Sequence, residues 1–340
     1  MSELFHIAEW YGRPFLDISP ADRMRLADHK VGSATMKKPD AERLTALRTK
    51  SESDELTARE AARLVELEAK LVHQQANEQP CPFRTDIEHP TCTKAGGVCS
   101  LRLYSDESGA IAPVEGARGM IRALCPKRFH DADTAYKHIG ARLLDDQSPN
   151  HVGEVGFLKS TGNLDSAEGE DVGRIDMILV KSNAPEGFPI DWCAVELQAV
   201  YFSGREMPIE FKHIVETGGV PSMPQEARRP DYRSSGPKRL MPQLQIKVPT
   251  LRRWGKKMAV VVDVPFFLSM GKMETVADVS NCDIVWFLVD FQRPAGSDRY
   301  HLKVIEEVYV TLERAIEGLT GGVPVSLGEF ETRVKSQVSA

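Results

Sequence analysis

Four apolar runs in the second half of the chain constrain its fold more than any other feature: residues 172–181, 190–202, 258–267 and 282–291. The last two are nearly unbroken stretches of Val, Ile and Phe. Such stretches fit central strands buried on both faces of a sheet. Between them lies a basic stretch, residues 238–254, with helical character and Pro242 near its start. A last helix is expected over residues 310–320, stopped by Gly321-Gly322. Strands alternating with helices predict an α/β domain over residues 131–340, a mixed central sheet flanked by helices.

The first two runs each carry a carboxylate where an apolar residue belongs. They read Gly173-Arg174-Ile175-Asp176-Met177-Ile178-Leu179-Val180 and Ala194-Val195-Glu196-Leu197-Gln198-Ala199-Val200. An acid inside a buried strand is costly unless it binds a partner. A short turn, residues 183–187, joins the two runs, so Asp176 and Glu196 can sit side by side as a hard oxygen site suited to Mg2+. Strand periodicity places Glu196 and Gln198 on one face. The pattern Asp…Glu-x-Gln is similar to the Asp…Glu-x-Lys signature of PD-(D/E)XK nucleases, with Gln in place of Lys. Hydrolysis of a phosphodiester needs an activated water, charge neutralisation and a stabilised leaving oxygen. A metal held by Asp176 and Glu196, with the Leu197 carbonyl as a further ligand, meets those needs. The amide of Gln198 can only orient water or a phosphate oxygen. Glu154, ahead of both strands, is a candidate additional carboxylate or else a surface ion-pair partner.

Four of the six cysteines, Cys81, Cys92, Cys99 and Cys125, follow the spacing C-x10-C-x6-C-x25-C. Four thiolates can close a tetrahedral site for Zn2+ or for iron. The alternative is four small buried thiols. Residues 79–130 are rich in Pro, Gly and Cys and read as a small unit held by a bound ion rather than by a large core. Cys193 and Cys282 lie in apolar runs and are expected in the core.

Residues 1–78 read as a helical extension. One helix is expected over residues 22–30, and another follows the capping box Thr57…Glu60, with Leu64, Leu67 and Leu71 on one face and Glu66 four residues before Lys70. Residues 36–53 are highly charged and are expected to be flexible. The net charge of -6 argues against a general nucleic-acid coat protein. Charge is unevenly spread, however: residues 228–257 hold ten Lys or Arg and a single acid, Asp231. That stretch, with Lys238, Arg239, Lys256 and Lys257, is a candidate surface for DNA phosphates. No apolar run approaches the ~20 residues of a membrane span. Glu3, Glu9, Asp17 and Asp22 leave no room for a secretory signal, so a cytoplasmic protein is expected.

Taken together, several segments resemble the NotI-like family of type II restriction endonucleases. They are Phe5-His6-Ile7-Ala8-Glu9-Trp10-Tyr11-Gly12-Arg13-Pro14-Phe15, the four cysteine contexts in order, Gly173-Arg174-Ile175-Asp176, and Val195 through Gly204. The stretches Arg229-Pro230-Asp231-Tyr232-Arg233-Ser234-Ser235, Lys238-Arg239-Leu240, Pro242-Gln243-Leu244 and Trp254-Gly255-Lys256-Lys257 complete the set. The resemblance covers most of the chain from residue 79 on, together with residues 5–15, and departs from the family at residues 30–78. It implies a PD-(D/E)XK core, Mg2+-dependent cleavage of double-stranded DNA at a short palindrome, a homodimer, and a DNA methyltransferase as genetic partner. It also implies an ion at Cys81, Cys92, Cys99 and Cys125, iron first and zinc second, and a Gln at 198 as a family feature. Glu154 matches an acidic position that precedes the catalytic strands. A repair or phage-defence nuclease, or a four-cysteine DNA-binding regulator with an inert nuclease core, is the competing reading.

Overall fold

The computed structural model describes residues 3–28, 38–53, 56–76, 79–84, 91–107, 110–162, 167–182, 187, 189–205, 207–321 and 325–338. The chain divides into two compact units. The first comprises residues 1–134, 202–230 and 290–303, and the second residues 135–201, 231–289 and 304–340.

A sheet built on the N-terminal strand organises the first unit. Glu3–Trp10 pairs antiparallel with Val98–Glu107, Ile7 opposite Leu101 and Phe5 opposite Leu103. The expected boundary near residue 78 therefore does not separate a helical extension from a cysteine unit. Residues expected in the helical extension form this strand, and its partner strand carries Cys99. The unit also has an apolar core of its own, with Ile7, Trp10, Phe15, Ile18, Leu26, Val98 and Leu101 buried together. Residues 22–30 were expected as helix, and the helix observed is Pro20–Asp28.

Residues expected to be flexible form the helix Lys38–Glu52, and residues 36–37 lie outside the described residues. Leu44 and Leu47 explain the order, since they bury against Leu64 and Leu67 of the Ala58–Ala76 helix. The capping box forms as expected, with Glu60 accepting from the Thr57 N–H at 3.1 Å and the Thr57 hydroxyl accepting from the Glu60 N–H at 3.3 Å. Glu66 pairs with Arg63 and Lys70 with Asp40, in place of the expected Glu66–Lys70 pair.

The first unit encloses a buried ion network. Arg128 is fully buried, donates to Glu9 at 2.8 Å and lies 3.3 Å from Asp131. Its guanidinium sits between the rings of Phe83 and Phe291, at 4.5 and 4.4 Å from their centroids. Glu9, also fully buried, accepts a further hydrogen bond from Ser100 at 2.6 Å.

A six-stranded mixed sheet carries the second unit. Its order is His301–Val310, Ile284–Gln292, Met258–Asp263, Trp192–Leu197, Met177–Val180 and Asn150–Val152. Trp192–Leu197 runs parallel to Met258–Asp263 and antiparallel to Met177–Val180. Every residue of Met258–Asp263 is buried, as expected for a central strand, and the apolar run continues as the short helix Val264–Leu268. The Met241–Arg253 helix and the Leu312–Thr320 helix pack beside one another. Gly321 stops the latter in the left-handed conformation that a side chain would strain.

Removing one member of a buried pair leaves the other charge without a partner, at a cost of about 3–5 kcal/mol. Glu9→Ala is expected to lower the unfolding free energy by about 3 kcal/mol in urea denaturation. A loss within the range of ordinary surface substitutions would show that Arg128 does not depend on Glu9.

Candidate active site

Residues 172–181 do not form one strand. Asp171–Ile175 pairs with Val155–Lys159, Met177–Val180 joins the central sheet, and Asp176 stands at the break between them. The register of Met177 opposite Val195, carried one residue further, puts Asp176 opposite Glu196. The strand pair therefore brings the two carboxylates together, as the short connection predicts. Glu196 is 6% exposed, whereas the Asp176 side chain is about half exposed. One acid is thus anchored in the sheet and the other opens to solvent.

A third charged group completes the site. Lys247, 2% exposed, places its Nζ 2.6 Å from Glu196 and 3.7 Å from Asp176. It comes from the Met241–Arg253 helix, whose buried face carries Leu244, Val248 and Leu251. The sequence reasoning missed this residue. The signal was present, because position 247 falls on the same helical stripe as those apolar residues, where a lysine needs a partner. Burial, and then the neighbouring Asp176 carboxylate, push the Glu196 carboxyl up to about 7, against the opposing pull of Lys247.

The other candidates are placed differently. The Trp192–Leu197 strand ends one residue before Gln198. The Gln198 N–H still continues the ladder to the Val261 carbonyl at 3.1 Å, but its side-chain amide turns to the Ala199 carbonyl at 2.6 Å. Glu154 pairs with Arg174 at 3.1 Å with both side chains exposed, so it has a surface ion-pair partner. Cys193 and Cys282 are buried, as expected.

The expected DNA-facing cations are partly engaged within the unit. Lys256 pairs with Asp191 at 2.7 Å and lies over the Trp192 ring, and Lys257 donates to the carbonyls of Ser280 and Cys282 at 3.2 and 2.7 Å. Arg239 lies 3.7 Å above the Tyr201 ring and donates to its hydroxyl. Lys238 and Arg239 remain exposed, whereas Lys256 and Lys257 are half-buried.

In the first unit, Cys81 and Cys99 are buried together with Phe83, and Cys92 packs against them. All four cysteines are free thiols. Burial raises the thiols of Cys92, Cys99 and Cys125, and the neighbouring cysteines add to each shift: Cys81 and Cys125 at Cys92, Cys125 and Cys92 at Cys99, and Cys81 at Cys125. The Gly12 N–H points at the Cys99 sulfur at 3.3 Å. The four thiols thus share one neighbourhood, and their chemistry suits a thiolate-binding ion. Among the described residues, however, no three His, Cys, Asp or Glu side chains are arranged as a metal site. Nor is any described helix long and apolar enough to cross a membrane.

Comparison with known families identifies the class. Residues 65–302 match the family model for the restriction endonuclease NotI. The match takes in both carboxylates, Lys247 and the four cysteines, and it covers most of the chain. The chain therefore belongs to the NotI restriction endonuclease family, which makes it a site-specific DNA endonuclease, a hydrolase that binds double-stranded DNA. No curated protein matches the chain at a significant level.

Proposed function

We propose that the second unit is a PD-(D/E)XK nuclease core whose centre is Asp176 and Glu196, cutting double-stranded DNA at a short palindrome with Mg2+. The observation that carries this reading is the paired carboxylates, Glu196 on a central strand and nearly buried, Asp176 at the break beside it and open to solvent. Mg2+ is commonly held by one or two carboxylates, with substrate phosphate and water completing its shell. A two-carboxylate site, with the Leu197 carbonyl beside it, fits that habit without a third acidic side chain. A divalent cation bound there supplies Lewis acidity and neutralises charge building at phosphorus.

The chain's own groups do the rest. Asp176 and Glu196 fix the cation's position relative to the scissile phosphate. Gln198, once turned from the Ala199 carbonyl, offers an amide that orients the attacking water. Glu154 enters only if Arg174 releases it. In balance, water adds across the P–O3′ bond: its oxygen bonds to phosphorus, the P–O3′ bond breaks, and a proton passes to the leaving oxygen. A palindromic target calls for two-fold symmetry, hence a homodimer. A methyltransferase that protects the host's own sites is the expected genetic partner, and the reaction belongs in the cytoplasm. The four cysteines hold a structural ion, iron or zinc, that orders the first unit rather than taking part in the chemistry.

Asp176→Ala or Glu196→Ala is expected to reduce cleavage at least about 100-fold while leaving duplex affinity near that of the parent, because affinity comes mainly from phosphate contacts. The Glu196 carboxyl is raised, so it binds a proton up to about pH 7. Proton and cation then compete for the same oxygens. At limiting Mg2+, cleavage should rise with pH through about 7, and more Mg2+ should move the midpoint to lower pH. A midpoint indifferent to Mg2+, or normal cutting by either variant, would remove the assignment.

Elemental analysis of purified protein should find about one iron or zinc per chain, lost on Cys81→Ser and kept on Cys193→Ser. A folded, active preparation without transition metal would leave the cysteines as core thiols.

The basic helix region should contribute to the salt dependence of DNA binding, at roughly one unit of slope per phosphate contact. Lys238→Gln with Arg239→Gln should flatten the slope more than Lys256→Gln with Lys257→Gln, since the latter pair already has internal partners. Equal effects would mean that DNA displaces Asp191 and the Ser280 and Cys282 carbonyls.

A further inference from the structure

Position 198 leaves the site without a strand-borne cation. The residue two places after Glu196 is a glutamine, and its amide carries no charge. Two adjacent carboxylates facing an anionic phosphate make a site of strongly negative sign. The structure nevertheless holds one fixed cation there. Lys247 reaches Glu196 at 2.6 Å and Asp176 at 3.7 Å from the Met241–Arg253 helix. Its neighbours on the buried face of the helix are Leu244, Val248 and Leu251, so a methionine or leucine would fill the same place in the packing. Burying an ammonium is costly, and among the described residues its ion pairs are with the two acids.

We propose that Lys247 is the cationic catalytic residue of this site, delivered by the Met241–Arg253 helix in place of the lysine that position 198 lacks. Its ammonium rests on the carboxylates when no divalent cation is held there. With a cation and DNA bound, it turns to the scissile phosphate and attacking water, where it donates hydrogen bonds and neutralises charge. This inference rests on the nuclease reading of Asp176 and Glu196.

The test compares full-length Lys247→Gln, Q198K/K247Q and Asp176→Ala with the parent. It measures single-turnover cleavage at saturating Mg2+, duplex binding, and calorimetric Ca2+ binding without DNA. K247Q should cut about 100-fold more slowly with little change in duplex affinity. It should bind Ca2+ roughly tenfold more tightly, because a competing positive charge has left the carboxylates. Restoring a lysine on the strand, in Q198K/K247Q, should recover at least about tenfold of the lost rate. A merely structural lysine would also free the carboxylates for Ca2+, but it would give no rescue of the cleavage rate from position 198. If K247Q cuts within about threefold of the parent, or Q198K/K247Q is folded and no faster than K247Q, the proposal is overturned. Should K247Q not fold, the double variant is judged against the parent: cutting within about tenfold supports the proposal, and a folded, inert protein overturns it. Asp176→Ala separates the two readings. If it also cuts like the parent, the nuclease site itself is misplaced. If it is inert while K247Q is active, only the role of Lys247 fails.

Discussion

A carboxylate closed inside an apolar sheet needs a positive partner, and Glu196 meets that need through Lys247. Much of the second unit follows from satisfying this one charge. The Met241–Arg253 helix must lie where its lysine reaches the sheet, so Leu244, Val248 and Leu251 pack beside that contact. The break in the chain at Asp176 lets a second acid meet the same ammonium while staying half exposed. The result is a site that is neutralised internally in part and still open to a phosphate on one side. Anchored and open acids side by side suit an enzyme whose substrate brings its own negative charge.

The first unit meets the same constraint with the opposite intent. Arg128 is enclosed by Phe83 and Phe291, donates to Glu9 and the Tyr300 carbonyl, and forms an ion pair with Asp131. The three charged side chains, Glu9, Arg128 and Asp131, are all buried. It ties the N-terminal strand, through Glu9, to the segment just after Cys125. The Arg128 charge is closed off by its surroundings, whereas Glu196 lies beside an acid that is half exposed. Phe83 and Glu9 also border the cysteines, since Phe83 packs with Cys81 and Cys99 and the Glu9 carboxylate raises the Cys99 thiol.

Four of the six strands in the second unit's sheet were legible as apolar runs, though not the edge strands Asn150–Val152 and His301–Val310, and the meeting of Asp176 with Glu196 was legible in their short connection. Three further things were not. The N-terminal strand pairs with residues about ninety positions away, and no local pattern announces such a partner. The helix Lys38–Glu52 hid behind its charge, because Leu44 and Leu47 become a buried face only once the Ala58–Ala76 helix is beside them. Lys247 lay inside a segment read as a basic helix, where a buried lysine on the apolar stripe looks like another phosphate contact. Equally, charge counting could not tell Lys256 and Lys257, held by Asp191 and by backbone carbonyls, from the exposed Lys238.

The role proposed for the two carboxylates is to hold the divalent cation with which the protein cuts DNA. Diffraction from crystals of the protein with duplex DNA and Ca2+, which occupies such sites without supporting fast cleavage, locates that cation directly. The account predicts anomalous density beside both side chains, with Asp176 and Glu196 oxygens at about 2.3–2.6 Å and the Lys247 ammonium turned away from Glu196. Density at other residues, or Glu196 still closed on Lys247 with no ion beside it, would contradict the account.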